Sequence, residues 1–457
     1  MKHSALLSFI VLFLLSACCT ATNTPVENII EIDKKGRPGI PDSDAIFTRK
    51  DYEEHLEKNL LNFGNKKKVI IFIHGGLNTT ECSEVRAEEL KTKFGDEYHP
   101  VFIHWRSDLT TTYIEHLWNH RQGEHWDFWG PVTSPIVFGI DIGKGIVRTP
   151  MIWWYQLVSF LKACGYDAAH YENAKKIGTL LENDPRVNYT PGEDYRGNSL
   201  EIFQGVIGFF EFAGSLITAP LFDAVGTGSW DVMKRRTDTM FATMFTADDL
   251  DEYKSLDEYE RMKQGSLAIF FEKLKTKNLS GVEVILVGHS MGTIVASEIL
   301  SKWPEIQYDR IIFMAAACTI KDFERSVAPY LKKHPDTEFY NYTLHPKAEN
   351  YEAHFGGFGG TGSLLVQIDN FYANPVSEKE RTLGKWENIM NGFNYFDDEI
   401  LGRLHFCTMD YDPTVKNIFG KENPNPPIKH GDFGASNNFW KEDYCKTSRI
   451  KKSTAID

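Results

Sequence analysis

A serine between two glycines is the strongest chemical signal in the sequence. Gly288-His289-Ser290-Met291-Gly292 follows the apolar run VEVILV and precedes a stretch with helical spacing. A serine on a sharp strand-to-helix turn has its Oγ raised above the edge of a sheet, and side chains at the flanking glycines would collide. The amides that begin the helix point at the same place. We therefore predict that Ser290 is a nucleophile and that His289 forms a wall of the substrate pocket.

An earlier glycine pair could supply the other groups that such a serine needs. His74-Gly75-Gly76-Leu77 follows the apolar run KKKVIIFI. Acyl transfer develops an oxyanion, and each backbone donor aimed at it contributes about 3–4 kcal/mol. We predict an oxyanion hole formed by the N–H of Met291 and by that of Gly76 or Leu77. The alternative is a tight turn that merely requires small residues.

These two motifs resemble those of the α/β-hydrolase superfamily. The resemblance covers the sheet-forming residues 51–108 and the chain from residue 230 onward. It implies a parallel sheet with helices on both faces and a serine nucleophile. It also implies the chain order serine, acid, histidine, with the acid after a late strand and the histidine after the last one.

His430 is the predicted general base. It lies in the Pro-, Gly- and Asn-rich stretch PPIKHGDFGASNNFW, where the resemblance places the histidine. A neutral imidazole can accept the Ser290 proton and return it to the leaving group, because its ordinary pKa is about 6.5. Three other histidines fit less well, since His405 is inside a strand pattern, His345 precedes a proline and His354 precedes a glycine run.

The predicted acid is Glu349, which follows the strand EFYNYTL. A carboxylate there would accept a hydrogen bond from the histidine Nδ1–H and hold the ring in one tautomer. Asp369, Asp410 and Asp322 remain alternatives, and each of these carboxylates could simply be a solvated surface charge.

The elements around these motifs predict an α/β fold. Six apolar or β-branched runs read as strands: KKKVIIFI, residues 99–105, VEVILV, YDRIIFM, EFYNYTL and RLHFCTM. Helical spacing appears between most of them, for example in ECSEVRAEELKTKF. Alternating strands and helices are typical of a mostly parallel sheet with helices on both faces.

A long stretch interrupts this alternation. Residues 109–228 have no clear strand and contain two strongly apolar segments, so we predict a mainly helical, lid-like insertion in one hydrolase domain of residues 46–457. Interrupting acidic residues and a proline favour buried or interfacial helices over a membrane span. Five aromatic residues are expected to line an apolar pocket or to form the insertion's own core: Trp153, Trp154, Phe209, Phe210 and Phe212.

The N-terminus resembles that of an exported lipoprotein. An apolar run follows Lys2 and ends in Leu15-Ser16-Ala17-Cys18, which is similar to a bacterial lipobox. We predict a signal peptide over residues 1–18, a lipid anchor at Cys18 and a flexible tether over residues 19–45. The implied location is the cell envelope, most simply the outer membrane. An ordinary cleaved signal peptide, giving a periplasmic or secreted protein, is the alternative.

Composition excludes several other functions. The net charge of −13 argues against nucleic acid as a partner. Five cysteines remain beyond Cys18 and Cys19; they lack the spacing of a zinc site, and their disulfide pairing stays open. The glycine pattern of residues 357–362 does not follow a strand of a βαβ unit, which argues against a nucleotide site.

Together these features predict a serine hydrolase that cleaves carboxylic esters with apolar acyl or lipid-like groups. The mechanism needs no cofactor and no metal. A thioesterase, amidase or acyltransferase with the same groups is the first alternative. The second is a hydrolase-like envelope lipoprotein without activity that acts as a binding module. The sequence leaves the oligomeric state undefined.

Overall fold

The computed structural model describes most of the chain. The described residues are 27–40, 45–76, 80–118, 120–121, 124–125, 129–163, 169–194, 200–242, 264–352, 362–411, 427–435 and 438–447. The predicted signal peptide with Cys18, the oxyanion candidate Leu77, and His354 lie outside these residues.

The protein has an α/β architecture with a nine-stranded, mostly parallel mixed sheet. The strands are β1 (Ile29–Ile32), β2 (Pro38–Gly39), β3 (Lys68–Ile73), β4 (Tyr98–Trp105), β5 (His120–Arg121), β6 (Glu124–His125), β7 (Asn188–Thr190), β8 (Glu283–His289), β9 (Arg310–Met314), β10 (Glu338–Thr343) and β11 (Leu404–Thr408). The sheet order is β2-β1-β4-β3-β8-β9-β10-β11-β7, and β5 pairs separately with β6. Within this order β2 is antiparallel to β1, whereas β1–β4, β3–β4, β8–β9, β9–β10, β10–β11 and β11–β7 are parallel pairs. The central strands are buried along nearly their whole length, which explains their continuous Val, Ile and Phe content.

Helices connect the strands. They are α1 (Arg49–His55), α2 (Thr80–Phe94), α3 (Leu109–Trp118), α4 (Trp129–Ala163), α5 (Ala169–Glu182), α6 (Leu200–Thr239), α7 (Ser266–Lys275), α8 (Gly292–Lys302), α9 (Ile320–Arg325), α10 (Val327–Lys333), α11 (Pro346–Tyr351), α12 (Leu364–Gln367), α13 (Trp386–Asn391) and α14 (Tyr444–Thr447). Short 3-10 helices span Gly95–Glu97, Glu378–Glu380, Phe393–Tyr395, Leu401–Arg403 and His430–Ala435, and single π turns span Leu56–Leu60 and Ile368–Tyr372. All six predicted strands are present as β3, β4, β8, β9, β10 and β11.

The chain forms two compact units. The first comprises Met1–Val147, Asp223–Val284 and Trp303–Ile306, and the second comprises Arg148–Phe222, Ile285–Lys302 and Gln307–Asp457. In the first unit, β3, β4 and α7 supply fully buried side chains such as Ile70, Phe102 and Phe270. In the second, β8, β9 and β10 do so with side chains such as Leu286 and Phe313. Residues 46–457, predicted as one domain, belong to both units.

The prediction of a tether over residues 19–45 is wrong for its second half. β1 lies inside this range, pairs in parallel with β4, and buries Ile29, Ile30 and Ile32 almost completely. The physical reason is that isoleucine favours a pleated, buried position, and Ile-Ile-Glu-Ile outweighs the polar composition around it. A tether between Cys18 and the sheet can therefore extend only to residue 28.

The described residues of the predicted insertion are mainly helical, and they also contribute a strand to the sheet. α3 to α6 fall largely within residues 109–228, whereas β7 adds to the sheet beside β11. The prediction missed β7 because three residues are too few to show a strand pattern. β11 consequently has a parallel neighbour on both sides.

Candidate active site

Ser290 occupies a strained turn between β8 and α8. Its φ of +51° lies in the left-handed region, which a residue with a side chain adopts only when its surroundings enforce it. A Cβ at Gly288 would lie 2.9 Å from Thr293 Cα and 3.0 Å from Gly292 O, so the close approach of strand and helix requires glycine there. This is the turn geometry predicted from the motif.

The backbone around Ser290 is held from several directions. The Ser290 N–H donates to Met314 O at the end of β9 (2.9 Å). The Ser290 carbonyl accepts from Thr293 Oγ1 (2.7 Å), from the Thr293 N–H (3.1 Å) and from the Ala317 N–H (3.1 Å). These bonds fix the peptide planes on both sides of Ser290 and so hold the strained conformation.

The structure brings Ser290 and His430 together. His430 begins the 3-10 helix His430–Ala435, and its Nε2 lies 2.8 Å from Ser290 Oγ. Both side chains are buried. The distance is that of a strong O–H···N hydrogen bond, so His430 can accept the hydroxyl proton directly.

His289 supports this arrangement from the neighbouring position. Its Nε2 lies 3.1 Å from the His430 carbonyl oxygen, and the two rings are 5.4 Å apart. A carbonyl oxygen can only accept, so His289 Nε2 carries the proton. His289, which was predicted to line the pocket, therefore holds the backbone of the candidate base, a role that the motif alone does not reveal.

Glu352 is a carboxylate in direct contact with the backbone of His430. Its Oε2 accepts a hydrogen bond from the backbone N–H of His430 (2.9 Å). Burial raises the pKa of Glu352 to about 7, and this hydrogen bond partly opposes the rise. The sequence prediction missed this residue, although it lies only three positions after Glu349 in the same connection.

Glu349, the predicted acid, has a different hydrogen-bond partner. It lies in α11 directly after β10, as the resemblance implied, but its Oε2 accepts from Ser363 Oγ. Its Oε1 is buried and has no hydrogen-bond partner in the described part of the chain. Burial raises the pKa of Glu349 to about 8. Such a carboxyl group is largely neutral at pH 7 and a poor stabiliser of an imidazolium.

The three alternative acids have structural contacts of their own. Asp369 accepts from the Thr382 N–H and from Asn388 Nδ2 (2.9 and 2.7 Å). Asp322 closes a capping box at the start of α9, and Asp410 accepts from the Glu193 N–H (2.8 Å). These hydrogen bonds account for the position of each carboxylate, so none of them requires a role beside His430.

The other candidate histidines are also engaged elsewhere. His405 Nε2 lies 2.6 Å from Glu338 Oε2 across β10 and β11. His345 is the N-cap of α11, and its Nδ1 accepts from the Lys347 N–H. Neither has a described contact with Ser290.

The glycine pair after β3 belongs to the first unit and has a fixed backbone. His74 Nε2 accepts from the Trp105 N–H (3.1 Å), so the ring proton is on Nδ1, which donates to Gly75 O (2.6 Å). Ser107 Oγ adds a longer contact to the same oxygen (3.4 Å). Burial lowers the pKa of His74 to about 4, which keeps the ring neutral. His74 thereby orients the peptide that carries the Gly76 N–H.

Comparison with known proteins gives no family assignment. No family model matches the chain, and no curated protein or solved structure matches it significantly. Among the described residues, no His, Cys, Asp and Glu side chains cluster as metal ligands, and no helix has the length and apolar content required to cross a bilayer.

The aromatic residues predicted to line a pocket have mixed outcomes. Trp153 and Trp154 on α4 are substantially exposed, whereas the side chains of Phe209, Phe210 and Phe212 lie outside the described residues.

The disulfide pairing left open by the sequence is partly resolved, since Cys407 in β11 bonds to Cys445 in α14. Cys318 is a buried free thiol.

Proposed function

We propose that this protein is a serine hydrolase of the α/β-hydrolase type that cleaves carboxylic esters. One observation carries the proposal: Ser290 Oγ, on a strained strand-to-helix turn, lies 2.8 Å from His430 Nε2. Nucleophilic catalysis requires a hydroxyl and a base in hydrogen-bond reach, and backbone strain at a single residue is typical of reactive sites.

The reaction follows from these groups. His430 Nε2 accepts the proton as Ser290 Oγ attacks the ester carbonyl, and the N–H of Met291 stabilises the oxyanion. His430 then protonates the departing alkoxide, which leaves an acyl group on Ser290. Water, deprotonated by His430, attacks the acyl group and restores the hydroxyl. No step requires a metal or a cofactor.

Glu352 is the better candidate for the acid that orients His430. It accepts a hydrogen bond from the His430 backbone N–H, so its carboxyl group lies beside the residue that carries the candidate base. Glu349 instead accepts from Ser363 and is kept neutral by burial. A carboxylate whose pKa is about 7 is available in its ionised form near neutral pH, and the imidazolium formed during the reaction favours that form further.

The expected substrates are esters with apolar acyl chains, including lipid esters. The sequence contains 31 Phe and 10 Trp, and a lipid-anchored chain would act next to acyl lipids. Anchoring at Cys18 and an envelope location remain part of this proposal.

An activity-based probe tests the function. A fluorophosphonate should label the wild-type chain at Ser290 and should not label Ser290→Ala. Ser297→Ala is a matched control, because Ser297 is also a buried serine and lies in the neighbouring helix α8. Labelling of a folded wild-type sample that persists in Ser290→Ala, or no labelling at all, would contradict the proposal. Esters, thioesters and amides of one acyl chain would then identify the preferred bond.

A further inference from the structure

The part of helix α4 that belongs to the first unit exposes several large apolar side chains to solvent. Val132, Ile136, Ile140 and Val147 are each more than half exposed. At 100° per residue these four side chains fall within an arc of about 80°, and they extend along about 22 Å of helix. We call this set the apolar face of α4.

Charged residues are almost absent from this surface. Of the ten exposed residues between Pro131 and Val147, nine are apolar residues, glycine or proline, and only Lys144 is charged. The opposite side contains the buried Asp141, which accepts from Tyr113 OH (3.3 Å) and lies 3.0 Å from His116 Nε2. The helix therefore directs its polar contacts inward to α3 and its apolar side chains to the solvent.

Such a pattern is the reverse of that of an ordinary surface helix. Isolated exposed apolar side chains are common, but contiguous apolar patches with little charge mark surfaces that bind something. The patch extends to the end of α3, where Trp118 is about half exposed and its carbonyl oxygen lies against Gly130, at the beginning of α4.

The predicted lipid anchor near the N-terminus indicates what the apolar face of α4 binds. If Cys18 carries a lipid, as proposed above, only residues 19–28 separate the bilayer from β1, which belongs to the same unit as the apolar face. Ten residues extend at most about 35 Å. The first unit is then confined next to a lipid surface, so even weak apolar contacts with that surface are favoured by high effective concentration.

The net charge of the chain indicates how the apolar face of α4 contacts a lipid surface. A net charge of −13 opposes binding to anionic headgroups, and α4 does not meet the requirements of a membrane-spanning helix. Contact by apolar side chains, with the helix lying along the interface, satisfies both conditions. We propose that the apolar face of α4 docks onto the surface of a phospholipid bilayer.

Photocrosslinking in the full-length chain tests the docking. p-Benzoylphenylalanine replaces Ile136, Ile140 or Val147 in protein reconstituted into vesicles of tritiated phosphatidylcholine. Leu180 and Val376 are matched control positions, because both are exposed apolar residues of other segments. We expect several-fold more tritium on the chain from the α4 positions than from the controls. Equal labelling at all positions, a crosslinked second copy, or a crosslink within the chain would overturn the proposal.

A kinetic comparison separates docking from the proposed catalytic function. In the variant Ile136→Asn/Ile140→Asn/Val147→Asn, KM for an ester presented in vesicles should rise several-fold, whereas kcat/KM for a short soluble ester should not change. A similar loss on both esters would contradict docking. A wild-type chain that hydrolyses neither ester would contradict the hydrolase proposal, and the crosslinking result would still decide docking.

Discussion

The turn at Ser290 and helix α4 place polar and apolar groups in opposite ways. Around the turn, β8 and α8 bury their apolar side chains, and polar atoms converge on Ser290 and His430. In α4, Asp141 is buried against α3, while Ile136 and Val147 face the solvent. The first arrangement uses the core to hold a reactive group, whereas the second gives up burial at positions that could have contributed to the core.

This difference indicates that the two regions are under different physical constraints. Backbone strain at Ser290 and burial of the Glu352 carboxyl group reduce stability, and such costs are tolerated where they shape a reactive site. Exposed isoleucines contribute little to folding in either direction, so their clustering is better explained by binding. Substitutions should therefore affect catalysis and stability near the turn but only surface binding in α4.

The largest expected effect is on catalysis, at Glu352. Glu352→Gln keeps an oxygen for the His430 N–H but removes the charge, so kcat should fall by about 10³–10⁴-fold, as when a triad acid is neutralised. In the wild type, kcat should rise as pH increases through about 7, because Glu352 must be ionised. Steady-state kinetics from pH 5 to 9 measure both effects.

Glu349→Gln is the matched control for Glu352→Gln. A neutral amide replaces a carboxyl group that is largely neutral already, so kcat at pH 7 should change by less than about tenfold. The reverse pattern, with the greater loss at Glu349, would restore Glu349 as the orienting acid.

Core packing gives the next largest effect. Leu286 in β8 is fully buried, so Leu286→Ala should lower the free energy of unfolding by about 2–5 kcal/mol. Urea unfolding monitored by circular dichroism measures the change. A cost below about 1 kcal/mol would show that β8 is not packed as described.

Much of this core could be predicted from the sequence. Runs such as VIIFI and VILV allow few structures other than buried parallel strands, and the glycines around Ser290 imply the turn. His430 could be predicted because it follows the last strand, where the α/β-hydrolase resemblance places the histidine.

Other features could not be read from the chain. β7 is three residues long, and β1 is surrounded by polar residues, so neither produces a periodic pattern. Glu349 and Glu352 are chemically identical and three residues apart; only the contacts to Ser363 and to the His430 backbone distinguish them. The outward apolar face of α4 has the periodicity of any amphipathic helix, and periodicity does not tell which side is buried.

The pH dependence of stability at the buried carboxyl groups should be smaller, per pH unit, than the cost of Leu286→Ala. The pKa of Glu349 is raised to about 8 in the folded chain, so its stabilising contribution is complete below about 4.5 and is lost as pH rises through about 8. The free energy of unfolding should fall by up to about 1.4 kcal/mol per pH unit in this window for this group. Glu349→Gln should remove that part of the slope in urea unfolding between pH 5 and 8.

Glu54→Gln is the control for this measurement, because the side chain of Glu54 is exposed. Its pH dependence should parallel that of the wild type. If Glu349→Gln also parallels the wild type, the Glu349 carboxyl group is not buried as the structure describes.

The smallest stability effect is expected in α4, and it separates the two regions most sharply. Ile136→Asn or Ile140→Asn removes an exposed apolar side chain, so the free energy of unfolding should change by no more than about 0.5 kcal/mol. Asparagine has a lower helix propensity than isoleucine, which sets the sign of any small loss. Denaturant unfolding of the detergent-free chain measures it beside Leu286→Ala. A loss of about 2 kcal/mol or more would mean that these isoleucines are buried within the protein, and the apolar face of α4 would then be part of the core and not a surface available to lipid.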